Sequence, residues 1–145
     1  MLSLTEKEVD HIATQLLKGM ICFYRIDKKK IHQMPDDEDY FNYDLTQDEE
    51  DILDEIDEDP DNFAEFTKME APQEHQMMQD FIDRKIKEKN LAEDLVNALS
   101  KPKAATGFKF LIDGSKYKND WIEYRKGKYM DWVKEQVDSF NYAED

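Results

Sequence analysis

The feature that most constrains the fold of this chain is a long run of aromatic and aliphatic residues near its C-terminus. Both tryptophans of the sequence lie in this run, among apolar residues that recur at the spacing of an α-helix. On a helical wheel the apolar side chains share one broad face: Tyr117, Trp121, Ile122, Tyr129, Trp132, Val133, Val137 and Phe140. Aromatic side chains bury a large apolar area, so this helix is predicted to present a core face to the other helices.

Capping boxes predict where several helices begin. In a capping box, two side chains three positions apart each accept a hydrogen bond from the other residue's backbone amide. The sequence contains three such pairs: Thr5 with Glu8, Thr46 with Glu49, and Asn90 with Glu93. Gly19 is placed to end the first helix in a left-handed conformation. Further helices are predicted from Pro72, over residues 108–112 and, after a break at Gly114, toward Phe140.

Strand-forming residues are concentrated in the first half of the chain. Residues 20–26 and 31–34 flank a short polar loop, which predicts a β-hairpin. Residues 62–68 are either a third strand or an extended lead into the next helix. The predicted fold class is α+β, with a small antiparallel β-sheet of two or three strands and a predominantly helical C-terminal half. We expect a single domain over residues 1–145, with an acidic insert at about residues 36–61.

The negative charge of the chain is concentrated in this insert, here called the acidic segment. The formal net charge is −15, yet the window from Ile31 to Thr67 holds 16 acidic residues and no Lys or Arg. The remainder has 19 acidic and 20 basic residues. We expect the acidic segment to form a solvated loop and helix. The alternatives are loose binding of hard cations and binding of a basic partner protein.

The sequence lacks the residue patterns of common catalytic and metal sites. An EF-hand loop starting at Asp57 needs Gly and Glu where the chain has Asn62 and Lys68. The three histidines fall in different predicted elements, and the one cysteine, Cys22, lies in an apolar strand, where a thiol is typically buried. No glycine-rich phosphate loop or Gly-x-Ser-x-Gly motif occurs. We therefore expect no enzyme activity, no cofactor and no bound metal.

Composition also predicts the location of the protein. No apolar run is long enough to cross a bilayer, and no signal-like stretch precedes the first capped helix. One cysteine excludes an intramolecular disulfide framework. We expect a cytoplasmic protein without membrane association.

The C-terminal half contains a series of motifs in a fixed order. They are Leu95-Val96-Asn97-Ala98-Leu99, Gly107-Phe108-Lys109-Phe110, Ile112-Asp113, and Tyr117 followed by Trp121-Ile122-Glu123-Tyr124-Arg125. Gly19-Met20, Glu65-Phe66 and Met78-Gln79-Asp80-Phe81-Ile82 precede them. In these motifs the chain resembles an uncharacterised bacterial protein family, number 0158 in the UPF series. The resemblance covers most of the chain except the first helix and the acidic segment. It implies the layout of elements and no particular activity.

Arg125 is the most informative candidate site residue, because it falls within the apolar face of the last predicted helix. An arginine at this position packs the aliphatic part of its side chain on aromatic rings, and its guanidinium group needs an anion. The structural interpretation is a stacked Arg paired with a carboxylate of the chain. The functional interpretation is an anion contact at a partner surface, shared with Lys116, Lys118 and Lys126.

These lysines belong to a basic stretch, residues 101–134, that has nine basic and four acidic residues. We predict a non-catalytic protein-interaction or regulatory module. Its partner is an unknown protein or a second copy. The basic stretch docks against the chain's own acidic segment or against that of a second copy. The alternative is a nucleic-acid-binding protein that uses the lysines and aromatic residues of the same stretch. That alternative ranks second, because the strongly acidic chain repels phosphate.

Overall fold

The computed structural model of the protein describes residues 1–35 and 45–144. The elements of this part of the chain are α1 (Glu6–Leu17), β1 (Met20–Arg25), β2 (Lys30–Pro35), α2 (Gln47–Glu58), β3 (Phe63–Phe66), α3 (Ala71–Lys85), α4 (Lys89–Leu99), α5 (Ala104–Asp113) and α6 (Lys118–Glu144). The α+β class and the helical C-terminal half are confirmed. The first part of the acidic segment, residues 36–44, lies outside the described residues.

The chain forms two compact units, which are described separately. The first unit comprises Met1–Lys68 and Tyr129–Asp145, and the second comprises Met69–Lys128. The expectation of a single domain over residues 1–145 stays a prediction.

The first unit is built on an antiparallel sheet with the strand order β2-β1-β3. Cys22 in the central strand pairs with Gln33 on one side and Phe66 on the other, so the hairpin and the third strand are both confirmed. α1 packs against β1. The core of this unit comprises Val9, Ile12, Ala13, Leu16, Cys22, Tyr24, Met34, Phe66, Tyr129 and Val133.

The two N-terminal capping boxes form as predicted. In α1 the Thr5 hydroxyl accepts from the Glu8 backbone N–H at 3.1 Å, and the Glu8 carboxylate accepts from the Thr5 N–H at 2.9 Å. Thr46 and Glu49 make the same pair of bonds at the start of α2. Gly19 has a φ of 86°, which confirms the left-handed stop after α1.

The third capping box, at Asn90, was a wrong prediction. α4 begins at Lys89 with Glu88 as its N-cap, so Asn90 lies inside the helix. The cause is a tertiary contact, because the Tyr117 hydroxyl donates to the Glu88 carboxylate at 2.6 Å and accepts from the Lys87 backbone N–H at 3.2 Å. These bonds hold the chain in its entry to α4, and the local motif does not decide the helix start.

The second unit contains α3, α4, α5 and the first part of α6. Its core is a cluster of aromatic rings around Trp121, whose centroid lies 4.8 Å from that of Phe108 and 5.1 Å from that of Phe81. Both contacts have the edge-to-face geometry that aromatic pairs favour. Aliphatic and sulfur-containing side chains complete the core: Met77, Met78, Ile82, Leu95, Leu99 and Ile112.

α4 and α5 pack against each other as a helical hairpin with a short connection. α5 begins at Ala104, four residues before the predicted start at Phe108. Gly107 lowers the helix propensity of this stretch, so the sequence predicts a connection between helices there. A Cβ atom at position 107 would lie 3.3 Å from the Cβ of Ala98, so the missing side chain permits a close approach of the two helices.

The broad apolar face of α6 is confirmed with one exception. Tyr129 and Val133 are buried in the first unit, and Trp121 is buried in the second. Trp132 is half-buried, and its indole N–H donates to the Thr67 carbonyl at 2.7 Å. Ile122 is 54% exposed, because it lies at the margin of the face, next to the exposed Glu123. The inclusion of Ile122 in the core face was therefore wrong.

Candidate interaction surface on the α4–α5 hairpin

Arg125, the leading candidate site residue, makes an ion pair inside the second unit. Its Nη2 lies 3.5 Å from both carboxylate oxygens of Glu74, in the first turn of α3. Arg125 and Glu74 are both partly buried. The expected pairing of Arg125 with a carboxylate of the chain is thus present in the structure.

Lys116 faces a different carboxylate. Its Nζ lies 2.7 Å from Glu88 Oε1 and 5.4 Å from the centre of the Tyr117 ring. Hydrogen bonds from Lys116 and then Tyr117 lower the pKa of Glu88 to about 2. The same pairing raises the pKa of Lys116. Lys116 therefore fixes the loop before α6 to the start of α4.

The remaining two candidates lie on α6. Lys118 is the exposed first residue of the helix, and Lys126 is half-buried two turns later. Arg125 and Lys116 bind carboxylates 14 positions apart in the chain, at the starts of two different helices. The structure thus gives these two residues separate partners and does not join them at one shared site.

The acidic segment is anchored by a cation that the sequence analysis missed. Arg25, at the end of β1, lies 2.6 Å from Glu55 in α2, 2.8 Å from Asp27 and 3.5 Å from Asp59. Its guanidinium also lies 5.3 Å from the centre of the Phe63 ring. The hydrogen bond from Arg25 lowers the pKa of Glu55 and of Asp27. A cation of the chain itself, Arg25, therefore anchors the described part of the acidic segment. The expected docking of the basic C-terminal stretch against this segment stays a prediction.

A half-buried histidine lies beside this ion pair. His32 Nε2 is 3.7 Å from Glu55 Oε2 and has no hydrogen-bond partner among the residues that the structure describes. Burial lowers the pKa of His32, and the nearby Lys30 and Arg25 act in the same direction, while Glu55 opposes them. The contact joins β2 to α2 across 23 positions, which a local sequence pattern does not reveal.

Cys22 is buried in β1, and burial raises the pKa of its thiol to about 12, as expected for a packed cysteine.

The surface of the second unit carries a shallow groove along the α4–α5 hairpin. The groove has a volume of about 540 Å³, and the side chain of Phe110 on its wall is 79% exposed. Its lining comprises Asp94, Asn97, Ala98, Lys101, Lys103, Thr106, Gly107, Phe110 and Leu111. A second groove of about 460 Å³, between α3 and α4, shares Asn97 with the first and includes Val96, which is 43% exposed. Two exposed apolar side chains thus border adjacent grooves.

The aromatic residues of the basic stretch differ sharply in exposure. Phe108, Tyr117 and Trp121 are buried in the core of the second unit, while Phe110 is exposed. Phe108 and Trp121 pack against each other, and all three buried rings lie in the core, away from a nucleic-acid base. The sequence alone did not distinguish the buried aromatic residues from the exposed one, because helical periodicity did not separate the two sides of α5.

Charge is divided unequally between the two units. The first unit has 25 acidic and 8 basic residues, whereas the second has 10 acidic and 12 basic residues. Two lysines, Lys101 and Lys103, lie exposed in the groove lining, against one acidic residue, Asp94.

Within the described parts of the chain, His, Cys, Asp and Glu side chains form no group of three or more that could hold a metal ion. In the same parts, none of the helices has the length and apolarity needed to span a membrane.

The fold defines an α+β protein in which a three-stranded antiparallel sheet precedes a helical C-terminal half. The model of the uncharacterised protein family UPF0158 matches residues 39–145, and the chain belongs to this family. The predicted resemblance to this family is confirmed. Its extent differs from the expectation, because the match includes residues 39–61 of the acidic segment and leaves out β1 and β2 as well as α1. Neither a curated protein nor a solved structure matches the chain.

Proposed function

We propose that this protein is a non-catalytic protein-interaction module that binds its partner through the α4–α5 groove. The observation that carries the proposal is Phe110, a large apolar side chain that is 79% exposed on the wall of the groove. Phe108 and Ile112 of the same helix are fully buried, so α5 has a core side and a separate outward side. Aromatic side chains beside a concave surface are typical anchors of protein–protein contacts.

The charged residues around Phe110 favour a partner segment with acidic side chains. Lys101 and Lys103 line the groove, and Asn97 and Thr106 supply neutral polar groups. Charges at the rim of an interface mainly raise association rate and specificity, while the apolar centre supplies most of the affinity. A segment with one apolar anchor and neighbouring carboxylates satisfies both parts of the groove.

Nucleic-acid binding is the second candidate, and the exposed Phe110 beside three lysines is the observation in its favour. Base stacking on an exposed aromatic ring, combined with lysines, binds single strands. Three points weigh against it: Lys109 is paired with Asp113 at 2.6 Å, the other rings of the stretch are buried, and the whole chain is acidic. A cytoplasmic site of action is part of this proposal, and the single, buried cysteine supports it.

A photo-crosslinking amino acid at position 110 of the full-length protein tests the proposal in cell lysate. Ile122, which is also exposed but does not line the groove, provides the matched control position. We expect a protein crosslink from position 110 that is absent from position 122 and disappears in the Lys101→Glu/Lys103→Glu variant.

The same variants distinguish the two candidates in a binding titration with oligonucleotides. Tight binding of single-stranded oligonucleotide that weakens steeply with salt and requires Phe110 would establish the nucleic-acid function instead. A crosslink that forms equally from positions 110 and 122 would remove the assignment of the groove as the binding surface.

A further inference from the structure

One side of α4 is covered by neither of the helices that flank it. Leu95 and Leu99 face the core of the second unit and are buried. At about 3.6 residues per turn, Asn97 lies on the opposite side of α4. Asn97 is exposed, and it lines both the α4–α5 groove and the groove between α3 and α4, here called the α3–α4 groove. The two grooves are therefore neighbours on one surface, separated by the exposed side of α4.

Each groove offers an apolar contact to a partner. Phe110 is 79% exposed on the wall of the α4–α5 groove, and Val96 is 43% exposed on the wall of the α3–α4 groove. Between them, the side-chain amide of Asn97 can donate and accept hydrogen bonds. A partner that contacts both grooves therefore needs two apolar anchors with a polar side chain between them.

The two grooves have opposite charge. Two lysines and one aspartate line the α4–α5 groove, whereas Asp83 and Glu93 face one cation, Lys89, in the α3–α4 groove. In the described part of the chain, the structure shows no ion pair for either carboxylate, and it shows none for Lys101 or Lys103. A partner can thus gain charge contacts of opposite sign at its two ends without breaking an ion pair.

The spacing of the grooves favours a helical partner. Packed helices lie about 8–10 Å apart, so the grooves on the two sides of α4 are separated by about the same distance. Residues seven positions apart on a helix share one face and are about 10.5 Å apart. Same-face residues of a strand are about 6.6 Å or about 13 Å apart. All residues of the second unit are described and none is in a strand, so an extended partner finds no sheet edge there to pair with.

We propose that one amphipathic helix of another protein crosses α4 and fills both grooves. This inference rests on the proposed function and names the chemistry of the partner. The partner helix has apolar anchors seven positions apart and an uncharged polar side chain over Asn97. Carboxylates lie beside the anchor that contacts Phe110, and basic side chains lie beside the anchor that contacts Val96. This order of charges sets the direction in which the helix crosses α4.

Among the described residues, no other helix of the chain meets this description. α2 contains no basic residue and cannot supply the positive end. The helices α1, α3, α5 and α6 already bury apolar side chains in the cores of their own units. We therefore assign the occupant to a different protein.

Fluorescence anisotropy with labelled synthetic helices and the full-length protein tests the proposal. The polarised peptide has two leucines seven positions apart on an alanine-rich background, with glutamates beside one leucine and lysines beside the other. Two control peptides have the same composition. In the first, glutamates and lysines alternate around both leucines, and in the second, the leucines are five positions apart and face different directions. We expect the polarised peptide to bind at least about tenfold more tightly than either control.

Matched protein variants locate the two apolar contacts. Phe110→Ser and Val96→Ser should each weaken binding of the polarised peptide at least about tenfold, because each removes one anchor contact. Ile122→Ser removes another exposed apolar side chain and should leave binding unchanged. Circular dichroism verifies that every variant is folded.

An exchange of charge between the grooves tests the electrostatic part of the proposal. Lys101→Glu/Lys103→Glu makes both grooves acidic and should weaken binding of the polarised peptide. Addition of Asp83→Lys/Glu93→Lys to the same protein should restore binding, because the peptide then crosses α4 in the opposite direction. Loss of folding cannot produce this recovery.

Three results would overturn the proposal: equal or absent binding of all three peptides, binding that does not depend on Val96, or an exchange of charge that fails to restore binding. The proposed function remains separately measurable. If position 110 crosslinks to a protein in lysate while the polarised peptide fails to bind, the α4–α5 groove is an interaction site whose partner is not this helix. If both assays fail, the α4–α5 groove is not a protein-binding surface.

Discussion

Gly127→Ala tests whether α6 is continuous, and it should stabilise the protein. Gly127 lies inside α6, which runs without a break from Lys118 to Glu144, and its φ is not positive. A Cβ at position 127 meets no atom within 4 Å, so alanine adds no steric strain. Alanine in an exposed helix interior is about 1 kcal/mol more favourable than glycine, in part because it reduces the entropy of the unfolded chain.

Urea unfolding followed by circular dichroism measures this change. For a denaturant slope of about 1–3 kcal/mol/M, a gain of about 1 kcal/mol raises the urea midpoint by about 0.3–1 M. Gly107→Ala in α5 is the matched control, because the same change there puts a Cβ 3.3 Å from the Cβ of Ala98. We expect the crowded contact to offset much of the gain in helix propensity at position 107.

A lower urea midpoint for Gly127→Ala would contradict the reasoning. It would mean that the backbone at position 127 departs from the helical conformation in solution, and that α6 is two helices. An equal gain at positions 107 and 127 would instead mean that α4 and α5 lie further apart than the Gly107–Ala98 contact requires.

Three further predictions concern the first unit. The pKa of His32 is lowered from 6.5, so the unfolded chain takes up this proton at a higher pH, and the stability that His32 contributes is lost as pH falls below about 6.5. His32→Leu should flatten the melting temperature between about pH 7 and about pH 5, with His11→Gln as the exposed control. Arg25→Gln should lower the melting temperature, and more at low than at high salt, because Glu55, Asp27 and Asp59 lose their common cation. Trp132→Phe, which removes the indole N–H bonded to Thr67, should cost about 1 kcal/mol in a urea melt, whereas Trp132→Ala should cost about 3–5 kcal/mol.

The features that the sequence predicted correctly are those set by neighbours in the chain. Thr5 and Thr46 form their capping boxes because both partners lie within one turn. The Asn90 box failed for the opposite reason, since Tyr117, far along the chain, fixes the start of α4 through Glu88. Periodicity located the core face of α6 but not its margin, where Ile122 is exposed.

The candidate site was less accessible to sequence reasoning than the fold. Arg125 was recognised because an arginine in an apolar face is unusual. The sequence predicted that it pairs with a carboxylate, but it did not identify Glu74 as the partner. Arg25 was missed because its partner Glu55 lies 30 positions away. The outward position of Phe110, next to the buried Phe108, depends on the helical phase of α5, which the sequence placed too late.

The end of β3 has a consequence for how the protein avoids aggregation. Among the described residues, β3 pairs with β1 and with no other strand, and an edge strand of this kind is a template onto which another chain can add. Immediately after it, the Thr67 N–H donates to Gln136 Oε1 at 3.0 Å, and the Thr67 carbonyl accepts from Trp132 and Gln136 at 2.7 and 3.2 Å. Side chains of α6 thus occupy the backbone groups that a fibril-forming strand would need next. The edge that β3 offers to another strand is thereby limited to four residues, which is shorter than the segments of about six or seven residues typical of cross-β stacking.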